Sequence, residues 1–179
     1  DRRLQQQTSM AIYNDLADLT YLADSLADLR KQADARAEAA PGQARTLKRF
    51  NARIAQMLDA LSASKQGMIT GEEKLREEYG QLYGAVVGYD GRPTESQLAS
   101  HRRLRAELDE AIAQADAFPE ADLRNITRAV DRKGNPPLSR KDRAAWEAEA
   151  DGGGNAAGMD RRALRRLPEQ LRSVFGLLR

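Results

Sequence analysis

The chain has 179 residues, of which only 5% are aromatic and 31% are charged; this composition suits helices packed through narrow leucine and alanine seams and argues against a broad β core. Its 29 basic and 27 acidic side chains leave a net charge of +2, too small a field to gather nucleic acid. No cysteine is present, which excludes disulfides, thiolate metal sites and a cysteine nucleophile.

From Leu4 to about Ala39 the apolar residues Ile12, Leu16, Leu19, Leu22, Leu26, Leu29 and Ala33 recur at three- and four-residue spacing, which predicts one long amphipathic helix. Asp15, Asp18, Asp24 and Asp28 fall off that stripe and are expected on a solvated face. Pro41-Gly42 ends the helix. A second helix, from about Gln43 to Gln66 with Leu47, Phe50, Ile54, Met57, Leu58 and Leu61 on one face, returns as the other arm of an antiparallel αα-hairpin with a coiled-coil-like seam.

Thr70-Gly-Glu-Glu73 reads as a capping box that opens a third helix with Leu75, Tyr79, Leu82, Tyr83 and Val86 inward. The turn formers of Gly88-Tyr-Asp-Gly-Arg-Pro93 follow, then a second capping box in Thr94-Glu-Ser-Gln97. The fourth helix, about Glu95 to Ala117, is expected to bury Leu98, Leu104, Leu108, Ala111, Ile112 and Ala115. Phe118-Pro119 is read as an interruption before a shorter helix, about Glu120 to Arg132, that stops at Gly134. After an extended Asn135-Pro-Pro-Leu138, Ser139 with Asp142 predicts the start of a helix through Trp146 to about Ala150.

Residues 151–158, Asp-Gly-Gly-Gly-Asn-Ala-Ala-Gly, read as a flexible linker. Beyond it, in residues 159–179, Leu164, Leu167, Leu171, Val174, Phe175 and Leu178 form an apolar stripe beside Arg161, Arg162, Arg165, Arg166 and Arg172. This amphipathic, basic C-terminal helix is expected to fold back on the bundle, to dock on a partner protein, or to lie on an anionic membrane surface. The fold class is therefore all-α: an elongated antiparallel helical bundle over residues 1–150, a linker and a linked C-terminal helix.

Candidate chemistry is sparse. His101 is the sole histidine and is read as an edge or surface residue, and the acids at 72, 73, 77 and 78 suit a helix N-terminus without any catalytic role. No phosphate-binding loop, dinucleotide fingerprint, HExxH or GxSxG pattern occurs. No catalytic, cofactor or metal residue is assigned. In the turn, Tyr89 and Arg92 are residue types that anchor interfaces, and the same segment is also explained as a turn that presents Thr94 as a cap.

The run from Ile69 to Tyr83, with Tyr89-Asp-Gly-Arg-Pro-Thr94 and Gln97-Leu98, resembles the C-terminal helical region of bacterial VPS10/sortilin-like proteins, often labelled BNR-repeat glycosyl hydrolases. The likeness continues through Asn125, Lys133-Gly-Asn-Pro-Pro-Leu-Ser139 and Arg143-Ala-Ala-Trp146, and covers roughly residues 1–150. In that family the hydrolase label belongs to a β-propeller, whose blade repeats this chain lacks, so no catalytic residue carries over. The resemblance implies an extracytoplasmic, periplasmic location and a role in protein contacts.

The expected function is a non-catalytic helical interaction or scaffolding subunit, docked with other protein subunits in a larger assembly that includes a membrane-associated one among its settings. The alternative is a detached helical domain of a propeller-bearing sortilin-like receptor or hydrolase. The chain opens on Asp1, so processing or excision from a longer protein is expected. A third class, a cytosolic coiled-coil chaperone or nucleoid protein, has least to recommend it, and neither a cofactor nor a nucleic-acid partner is expected.

Overall fold

A computed structural model describes residues 1–39, 41–62, 74–130 and 138–152. Their regular structure is helical, with no strand among the described residues, as the all-α reading predicts. The helices are α1 (Arg2–Ala39), α2 (Ala44–Leu61), α3 (Leu75–Val87), α4 (Glu95–Val130) and α5 (Arg143–Gly152), with a single 3-10 turn, Pro41–Gln43, between α1 and α2. The chain forms two compact units, Asp1–Lys141 with α1 to α4 and Asp142–Arg179 with α5.

Within the first unit, α1 is the common wall: it packs against α2, α3 and α4. Its 38 residues make a rod about 57 Å long. All seven apolar residues of the predicted stripe, Ile12 through Ala33, are buried. From α2 come Leu47, Phe50, Ile54 and Leu61, from α3 Leu75, Tyr79, Leu82 and Val86, and from α4 Leu104, Leu108 and Ala115, which together form one continuous core. Met57, Leu58, Tyr83, Ala111 and Ile112 pack against its edge. Each fully buried Leu or Ile contributes about 2 kcal/mol, so the seam alone accounts for the persistence of α1 as a helix of this length.

The turn between α3 and α4 is built as its residues dictate. Thr94 Oγ1 accepts the Gln97 N–H at 3.2 Å and Gln97 Oε1 accepts the Thr94 N–H at 2.8 Å, the reciprocal pair of a capping box. Past α4, residues 138–142 carry no regular secondary structure. Leu138 is buried, the Gln32 side chain bonds both the carbonyl and the N–H of Ser139, and the Tyr21 hydroxyl donates to the Lys141 carbonyl.

Several helix boundaries differ from expectation. Phe118-Pro119 does not interrupt the fourth helix, since α4 runs unbroken to Val130: proline removes one backbone donor but its φ of about −65° is helical, and the alanine, leucine and glutamate residues around it favour continuation. α3 begins at Leu75, with Lys74 as an N-cap lacking a side-chain cap bond; the capping box read at residues 70–73 lies outside the described residues. The second helix stops at Leu61, short of Gln66. In the second unit, α5 begins at Arg143, and its cap is Asp142, whose Oδ1 accepts the Ala144 N–H at 2.7 Å, so Ser139 does not start that helix. α5 continues through Gly152, two residues into the stretch read as linker.

Candidate functional site

The most concentrated polar chemistry in the first unit gathers on Asp15. Position 15 immediately precedes Leu16 of the apolar stripe, and because α1 is covered by three helices its buried arc is wider than a single seam. Asp15 is therefore 6% exposed, which corrects its assignment to a solvated face. Its Oδ2 accepts the Tyr79 hydroxyl of α3 at 3.2 Å and faces His101 Nε2 of α4 at 2.8 Å; its Oδ1 accepts Arg105 Nη1 of α4 at 2.7 Å. A carboxylate only accepts, so its contact assigns the ring proton to His101 Nε2. His101, with 19% of its side chain exposed, stands at the edge of the core and is a structural partner of Asp15.

Arg105 extends the cluster. Its Nη1 also reaches Asp18 Oδ2 at 3.1 Å, and its Nε and Nη2 both bond Asp109 Oδ1, at 3.1 and 2.6 Å. Hydrogen bonds to Asp109 and then Asp15 raise the guanidinium pKa further above its already high ordinary value. Burial, followed by the neighbouring Asp15 charge, pushes the Tyr79 phenol far above the usual tyrosine range. Burial also pushes Tyr83 up, to about 12. Next to this cluster Arg103 joins Glu78 of α3 to Glu107 of α4.

Chemically the cluster is a lock. Three donors from two helices hold Asp15, and removing any one would leave buried polar atoms unmatched. The lock fixes α1 against α3 and α4 at a single register. Sequence periodicity missed it because it follows apolar spacing, whereas these partners lie 64, 86 and 90 residues from Asp15. The available signal was a lone histidine three residues before the buried Leu104, with Arg105 and Asp109 one turn apart.

The sequence-predicted contact residues fall into two groups. Tyr89 is 59% exposed, and Arg92 is exposed and pairs with Glu95 at 3.8 Å. The turn that carries both is held from below by Gln5 of α1, whose Nε2 donates to the Val86 carbonyl at 2.9 Å and also to the Tyr89 carbonyl. A Cβ at Gly91 would stand 2.6 Å from the Tyr89 ring, so a larger residue there would push the ring aside. Leu164, Leu167, Leu171, Phe175, Arg161 and Arg165 lie outside the described residues. The fourth helix and α2 also border an open cleft of about 510 Å³, lined by Arg53, Gln56, Met57, Ala60, Gln114 and Ala117.

Among the described residues no group of three or more histidine, aspartate or glutamate side chains is placed to hold a metal ion, and no helix is long and apolar enough to cross a membrane. No family model, curated protein or solved structure matches this chain.

Proposed function

We propose that this chain is a non-catalytic helical interaction module that presents the turn between α3 and α4 to another protein subunit. The observation that carries the reading is the support beneath Tyr89: the side chain of Gln5 binds the Tyr89 carbonyl of the turn and the Val86 carbonyl at the end of α3, while the Tyr89 side chain stays exposed. An exposed aromatic beside an arginine is the composition of an interface anchor, and a turn whose backbone is held in place beforehand lowers the entropy cost of docking. The Asp15 cluster supports the same reading, because its carboxylate is engaged by three donors inside the bundle and stiffens the platform.

An extracytoplasmic setting belongs to this proposal and rests on the resemblance of residues 69–98 to sortilin-like helical regions. Affinity capture from the source organism, with the wild-type chain and with the Tyr89→Ala, Arg92→Ala double variant, tests the reading. A partner retained by the wild type and lost by the double variant, at equal melting temperature, is expected. Identical partners on both chains would contradict it.

A further inference from the structure

α2 breaks two local rules of helix design on one face. Its first turns carry Arg45, Lys48 and Arg49, with Arg53 one turn on, and its only acid is Asp59 near the far end, which pairs with Lys74 at 3.6 Å. Cations at a helix N-terminus oppose the macrodipole, and like charges four apart, as in Arg45 with Arg49, repel. No acid occupies the first turn to offset this. Arg45, Lys48 and Arg49 are exposed, on the side of the helix turned away from Leu47, Phe50 and Ile54, and among the described residues none of the three has a carboxylate partner. Uncompensated violations of local consistency collect where a surface serves something other than stability.

We infer that this outward face of α2 is a docking surface for the phosphates of an anionic lipid bilayer. Arg45 and Arg49 stand about 6 Å apart along α2, with Lys48 beside them, and the positive end of the helix dipole adds to their field. Ala52 continues the face, so it carries no bulky apolar or aromatic group to insert between bases or to fill a protein pocket. A convex helix laid on a flat anionic surface brings the whole stripe to phosphate. Against a nucleic-acid duplex, itself a convex rod, the same stripe meets only a few phosphates unless the helix enters a groove, and this face has no residues suited to reading base edges there. The surface lies at the opposite end of α1 from the Tyr89 turn and stands independently of the protein partner proposed there.

Flotation of the full chain with phosphatidylcholine vesicles, with and without one third phosphatidylserine, tests the inference at low and physiological salt. Binding is expected only to the anionic vesicles and is expected to weaken as salt rises. The Arg45→Gln, Lys48→Gln, Arg49→Gln variant should lose about a hundredfold in partitioning, given the strength of each cation near an anionic leaflet. It should melt no lower than the wild type, because repulsion within α2 is relieved, and Arg45→Lys with Arg49→Lys should retain binding. The inference fails if the wild-type chain ignores anionic vesicles. It also fails if the triple variant binds as well as wild type while replacement of Arg161, Arg162, Arg165 and Arg166 by Gln abolishes binding, or if polyglutamate or duplex DNA is bound in preference to the vesicles.

Discussion

Asp15 and Arg105 are separated by 90 residues, yet Oδ1 of one accepts Nη1 of the other at 2.7 Å, and this contact joins the first helix of the bundle to the fourth. Removing the carboxylate leaves Tyr79, His101 and part of Arg105 without their acceptor. Asp15→Ala should therefore cost about 2–3 kcal/mol of unfolding free energy, with Arg105 partly exposed to water and so able to recover some solvation. Chemical denaturation measures it. A loss of under about 0.5 kcal/mol would mean the cluster is incidental to stability.

The phenols give a pH signature. Both Tyr79 and Tyr83 have folded-state pKa values raised above the ordinary tyrosine value, Tyr83 to about 12 and Tyr79 further. A raised pKa means that the folded state holds its proton longer than the unfolded chain does. The contribution to stability is thus complete below pH about 10, where both states are protonated, and is lost as pH rises through 12 and beyond. Stability should fall across that window, and Tyr83→Phe should flatten the fall between about pH 10 and 12. Denaturation midpoints at alkaline pH, read beside tyrosinate absorbance, check this; an unchanged slope in Tyr83→Phe would contradict it.

The capping box gives a local prediction. With Thr94 Oγ1 and Gln97 Oε1 each satisfying the other's backbone N–H, Thr94→Ala should lower stability by about 1 kcal/mol. Thr94→Ser, which keeps the oxygen, should recover most of it. Equal melting curves for the two variants would exclude the hydroxyl as the cause.

Pro119 stands inside α4, where it removes a backbone donor from a continuous helix. Pro119→Ala should therefore raise the melting temperature, because an interior proline costs about 3 kcal/mol relative to alanine. Unchanged or lowered melting would show that the proline suits its position better than helix propensity implies.

These positions also mark what was legible in the sequence. The stripe from Ile12 to Ala33 was fully visible, since every member is apolar and the helical period alone places them on one face; the Thr94-Gln97 box was visible because its partners are three residues apart. Pro119 misled because a strong local rule was outweighed by the helix-forming residues around it. The Asp15 cluster was hidden for a different reason: a buried carboxylate is tolerated only when donors meet it, and its donors belong to helices that no local window links to α1. The turn residues Tyr89 and Arg92 were marked by type alone; the part played by Gln5, more than eighty residues away, emerged only with the fold.

The presented turn is tested most directly by amide hydrogen exchange on the isolated chain and on the same chain with its captured protein partner bound. Exchange should slow over residues 88–94, around Tyr89 and Arg92, with the amides of the α1 core seam unchanged. Slowed exchange elsewhere in the bundle, with residues 88–94 as open in the complex as in the free chain, would contradict it.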